Sequence, residues 1–108
     1  MENLDESKIK LEGKKQVEHW LTGNDYSNVS KETLHASEIA LKASGKTENI
    51  LVQVRTFVHP HRPFKLSDYE VDLLTRRASK LKSVAYIAYV ILKKDLQLNE
   101  DIIWERLT

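Results

Sequence analysis

The chain contains no cysteine, which excludes disulfides and thiolate metal sites. Its two prolines, Pro60 and Pro63, stand almost together, so proline breaks regular structure in one place only. Glycine is equally scarce, and no Gly-rich or low-complexity linker divides the chain. Long apolar runs are missing: Val84 to Leu92 is about half the ~20 residues a membrane crossing needs. The N-terminal MENLDESKIKLEGKK is charged and lacks the apolar stretch of a signal peptide. A soluble cytoplasmic protein is expected. Neither charge sign dominates, since the formal net charge is +1, and nothing global announces a nucleic-acid or membrane binder.

What is present suffices for one core. A chain of 108 residues with 41% hydrophobic side chains predicts a single compact domain over 1–108, with residues 1–6 as a flexible N-terminal tail. Charge is unevenly spread. Residues 1–33 hold seven acids against five Lys or Arg, whereas residues 55–82 hold seven Lys or Arg against three acids. That basic stretch suits either phosphate binding or a solvated helix face.

Ile9, Val17, Trp20 and Leu21 recur at helical spacing, and Ser7 is a candidate cap for this first helix. Gly13 on the same face costs helix propensity and fits close packing against a sheet. Tyr26 to Ser30 reads as a short strand. Leu34 to Ala43 and Asn49 to Val58 are two β-biased runs joined through Ser44-Gly45-Lys46-Thr47, the pattern of a hairpin. A symmetric link pairs Ala43 with Glu48, Leu41 with Ile50 and Glu38 with Gln53. Alternation then places Ile39, Leu41, Ile50, Val52, Val54 and Val58 on one face. Ala40, Leu51, Glu38, Gln53 and Arg55 fall on the other. An acid, an amide and a guanidinium inside an apolar surface form either a satisfied ion pair or a site. Ser67 and Glu70 then spell a capping box for a second helix bearing Val71, Leu74, Ala78 and Leu81. Val84 to Leu92 is apolar on both faces and predicts a central buried strand. Ile102 to Leu107 favours an edge strand over a terminal helix. Trp20 and Trp104 are expected as core anchors.

The order α-β-β-β-α-β-β predicts an α/β fold with a mixed sheet of four to five strands flanked by helices. It resembles the restriction endonuclease-like superfamily, the PD-(D/E)xK nucleases, and within it small Holliday-junction-resolvase-like and Mrr-like domains. Gly13, Val17 and Leu21 stand at the helix-one positions of that pattern. Glu38-Ile39-Ala40-Leu41 stands at the hairpin acid, Gly45-Lys46 at the turn, and Gln53-Val54-Arg55 at the Glu- or Gln-x-Lys end of the next strand.

The resemblance implies a DNA-binding domain that hydrolyses phosphodiesters with Mg2+. Glu38 and Gln53 would hold the metal, Arg55 would grip the scissile phosphate, and Glu18 on the first helix would offer a further carboxylate. Glutamine brings only a neutral carbonyl, and arginine stays charged, so Arg55 clamps but cannot act as a base. The same residues therefore also fit a catalytically inactive relative, an interaction or regulatory module in DNA excision or mobile-element control, with Glu38–Arg55 as a structural ion pair. His59, His61, Arg62, Lys65, Arg76, Arg77 and Lys80 are the candidate DNA contacts. His59 and His61, one residue apart, suit exposed loop positions or a transition-metal pair completed by His35. A protein partner or a homodimer is a further expectation.

Overall fold

The computed structural model describes residues 6–35, 38–61 and 65–108; the side chains of His35, Glu38 and Ile39 also lie outside that description. The elements are α1 (Glu6–Gly23), β1 (Ser27–His35), β2 (Glu38–Ser44), β3 (Asn49–Val58), α2 (Asp68–Lys80), β4 (Val84–Leu92) and β5 (Ile103–Arg106). They build the expected α-β-β-β-α-β-β order around one five-stranded sheet, with strands in chain order across it. β3 and β4 run parallel, because α2 returns the chain between them, and the other neighbours are antiparallel. Among the described residues no helix is long and apolar enough to cross a membrane.

Each helix covers one face of the sheet. On α1, Gly13, Val17 and Leu21 are buried at successive helical turns. They face Leu41, Ile50, Val52, Ala88, Val90 and Leu92. Gly13 is required there: a Cβ would overlap Thr56 Oγ1 and stand 2.8 Å from both Thr56 Cβ and Cγ2. On the other face, Leu74 and Ala78 of α2 pack with Ala40, Leu51, Ala85, Ile87 and Tyr89. β4 therefore feeds both layers, as its two-sided apolar run requires. Each fully buried Leu or Ile here contributes roughly 1.5–3 kcal/mol.

α2 begins as its sequence dictates. Ser67 Oγ accepts from the Glu70 N–H at 3.2 Å, and Glu70 Oε1 accepts from the Ser67 N–H at 3.2 Å, closing the capping box. β5 is the expected edge strand, while other boundaries differ. β1 runs on through Leu34 and His35, residues assigned above to the hairpin, and β2 starts at Glu38. Ser7 lies inside α1 rather than at its cap. The tail expected over residues 1–6 falls outside the described residues apart from Glu6, where α1 begins. Trp20 is not sealed in the core. It is 37% exposed and rests on Trp104, with ring centroids 4.6 Å apart.

The hairpin register carries the main correction. Its pairs run Ser44↔Asn49, Ala43↔Ile50, Lys42↔Leu51, Leu41↔Val52 and Ala40↔Gln53. The turn is thus Gly45 to Glu48, closed by the Gly45 N–H on Glu48 O at 2.9 Å. Tyr26 lies close over Gly45, where a Cβ would meet its ring at 2.7 Å. The partner of Gln53 is Ala40, not Glu38. A slip of two residues keeps every side chain on its expected face, so the face assignments survive and the individual pairs do not.

Candidate functional site

β3 carries Gln53 and Arg55 on the face covered by α2. Gln53 is buried, with 3% of its surface exposed, and Ala40 opposite it is fully enclosed. Glu38 lies two residues beyond Ala40 on β2. Arg55 is partly buried, and three neighbours fix it. Its Nη1 lies 3.6 Å from Glu70 Oε2, its guanidinium stands 5.7 Å from the Phe57 ring centroid, and Tyr89 is its register partner on β4. An ion pair this open is worth at most about 1 kcal/mol, so it orients Arg55 more than it stabilises the fold.

Tyr89 extends the polar strip across the sheet. Its O–H donates to Glu105 Oε1 at 2.9 Å. Burial raises its pKa to about 12, with the hydrogen bond and charge of Glu105 adding and Arg55 opposing. The strip reads Glu70, Arg55, Tyr89, Glu105, with Gln53 beneath. Glu70 and Glu105 were not among the sequence candidates. Glu70 showed itself only as a capping residue, and its second carboxylate oxygen is the one that reaches Arg55. Tyr89 and Glu105 could be found only after the parallel β3–β4 register was known.

The remaining candidates disperse. α1 occupies the opposite face, so Glu18 is not brought to Gln53 and Arg55. Arg77 is spent on structure: its Nη1 lies 2.8 Å from Glu32 Oε1 and ties α2 to β1. Arg76 is exposed and pairs with Asp72 at 3.0 Å. Lys65 and Lys80 are exposed, as are His59 and His61 just past the end of β3. Arg62 falls outside the described residues. No group of three or more His, Asp or Glu with metal-holding geometry occurs among the described residues, so His59 and His61 gain no third ligand there.

The donor set decides what the site can hold. A hard divalent cation such as Mg2+ needs carboxylate oxygens. Facing positions on β2 and β3 supply a methyl from Ala40 and a neutral amide from Gln53, with a permanent positive charge from Arg55 alongside. Glu70 is engaged by Ser67 and Arg55. Glu38, the carboxylate expected to hold Mg2+ with Gln53, lies on the same face at a diagonal position, and its side chain is outside the described residues.

The mixed five-stranded sheet, with a parallel β3–β4 pair and one helix on each face, is an α/β fold shared with a solved resolvase. Among solved structures, the Holliday junction resolvase Hjc of the archaeal hyperthermophile Archaeoglobus fulgidus superposes with a TM-score of 0.67. The match covers 91% of this chain and 72% of that one at 14% sequence identity. The likeness is one of fold. No family model matches the chain, and no curated protein does.

Proposed function

We propose that this chain is a nuclease-fold domain that binds DNA through its phosphates and does not cut it. The observation that carries the second half is the register. Ala40 rather than Glu38 stands directly opposite Gln53, and Gln53 and Arg55 bring a neutral amide and a permanent cation where the pattern has an acid and a lysine. The reading therefore moves from metal-dependent hydrolysis to the interaction module, with no step assigned to Mg2+. Three features support the first half. The similar solved structure is named as a Holliday junction resolvase. The stretch 55–82 is basic. Arg76 and Lys80, one helical turn apart on α2, both face solvent.

Phosphate contacts of this type give affinity without sequence preference and a steep dependence on salt. Fluorescence anisotropy on duplex, branched and single-stranded DNA over a salt series tests the reading. Arg76→Glu with Lys80→Glu is expected to weaken binding at least tenfold and to flatten the log–log salt slope by about one to two, near 0.9 per lost contact. No cleavage is expected with Mg2+ or Mn2+, and Glu38→Ala should change nothing. Metal-dependent cleavage lost in Glu38→Ala would overturn the non-cleaving half. Undetectable binding at low salt would overturn the DNA half.

A further inference from the structure

Beyond the last turn of α2, the sheet face that this helix covers changes character. Further along β2 and β3 that face is apolar, with Ala40, Leu51, Leu74 and Ala78. Past Lys80 it becomes the floor of an open cavity of about 310 Å³, lined by Asn28, Ser30, Lys42, Ser44, Asn49 and Ser83 together with the apolar Ala43 and Leu81. The register brings these residues together, since Ser30 pairs with Lys42 and Ser44 with Asn49. Asn49 lies four residues before Gln53 on β3, about 13 Å away at roughly 3.3 Å per residue. The cavity is therefore separate from the Arg55 strip.

Its polar groups are available. Asn28, Ser30 and Asn49 are exposed and Ser44 is half-buried, so their polar groups face the opening. The helix end above does not consume them. The carbonyls of Arg77, Ala78 and Ser79 accept from the N–H groups of Leu81, Ser83 and Lys82, and Ser83 Oγ donates to Leu81 O. Lys42 supplies the cation. Its Nζ stands 3.8 Å from Glu32 Oε2, beyond hydrogen-bond range, while Arg77 Nη1 holds Oε1 of the same carboxylate at 2.8 Å. Two cations, Lys42 and Arg77, stand against the one carboxylate of Glu32, leaving this corner positive.

Hydroxyls and carboxamides that both donate and accept, beside one ammonium, match a sugar hydroxyl next to a phosphate oxygen. Serine, asparagine and lysine are among the side chains that contact nucleic-acid backbones in this way. The volume falls at the lower end of small-ligand sites, roughly 300–1,000 Å³. We infer that this cavity holds one sugar–phosphate unit, either as a free nucleotide or within a DNA strand. The strand-bound form rests on the DNA reading above, and the free form does not.

Amide NMR titration of the intact chain with 2-deoxyribose 5-phosphate, and separately with a short DNA duplex, tests the assignment. Shifts are expected at Ser30, Lys42, Ser44 and Asn49 with both probes. The double variant Lys42→Gln, Asn49→Ala should weaken the sugar-phosphate response at least tenfold. Lys42→Arg, which keeps the charge, should retain most of it. Shifts with the sugar phosphate alone uphold the cavity and sink the DNA reading. Duplex-induced shifts confined to α2 and Arg55, with none from the sugar phosphate, sink the cavity and uphold the DNA reading. Silence with both probes overturns both.

Discussion

Replacing Gly13 by alanine separates two opposing effects by their sign. Helix propensity alone favours the alanine by about 1 kcal/mol in a helix interior. Packing opposes it: the new Cβ would overlap Thr56 Oγ1 and lie 2.8 Å from Thr56 Cβ and Cγ2. Rotating Thr56 about χ1 moves Oγ1 and Cγ2 but leaves its Cβ in place, so α1 must lift from β3. Overpacking of this kind costs about 1–3 kcal/mol. An overlap this deep belongs at the upper end, leaving a net loss of about 2 kcal/mol. For a domain this small, that is a fall in Tm of roughly 10 °C. Urea unfolding followed by tryptophan fluorescence measures it, since Trp20 and Trp104 touch and separate on unfolding. The midpoint should drop while the m-value holds. Adding Thr56→Ala removes Oγ1 and Cγ2 and should recover 1 kcal/mol or more through non-additivity, on the order seen for residues in contact. A Gly13→Ala variant as stable as the parent, or more so, refutes the close approach of α1 to β3.

The other predictions concern the site and its supports. Ser67→Ala breaks the capping box and should cost about 1 kcal/mol by the same unfolding assay, with Glu70 freed to change its hold on Arg55. Glu70→Gln removes the carboxylate beside Arg55, so DNA affinity should rise about threefold at low salt and the gain should vanish in Arg55→Gln. The Tyr89 pKa is raised in the folded state to about 12 from 10.0. Its contribution is therefore complete below pH 10 and is lost as pH climbs toward about 12. Phenolate absorbance should show this late titration, Glu105→Gln should bring it earlier, and Tyr89→Phe should remove it. Tyr86, raised by burial and by its bond to Glu48, contributes in the same direction and is separated by Tyr86→Phe.

Much of the fold was legible because each element advertises its environment. The capping box at Ser67 and Glu70, the two-sided apolar run of β4 and the Gly13-Val17-Leu21 stripe each reflect a local physical demand. The sheet faces were legible too, since alternation depends only on parity. Register was not: a turn centred one residue further along, over Gly45 to Glu48, leaves the alternation unchanged. That small change put Ala40 directly opposite Gln53 and moved Glu38 to a diagonal position on the same face. Arg77 shows the same limit. Its sequence neighbours mark a basic surface, whereas Glu32, far away in the chain, claims the guanidinium. Glu105 and Tyr89 were hidden for a related reason, since their meeting needs both the β3–β4 and the β4–β5 pairings.

The parallel ladder between β3 and β4 has a consequence for how the chain comes to be folded. It joins Ile50 to Val84 at one end and Val58 to Leu92 at the other, so it closes only after α2 has been made and laid back. Contacts this distant in sequence form slowly, because loop closure precedes their reward. Until β4 arrives, β1, β2 and β3 form an antiparallel meander whose last strand presents an unpaired edge and a face still uncovered by α2. An open edge of this kind recruits other chains. During synthesis the meander is complete some thirty residues before its cover, on the order of a few seconds at ribosomal speed. Shortening that interval, or shielding β3 during it, is expected to set the soluble yield of this protein more strongly than any change on its finished surface.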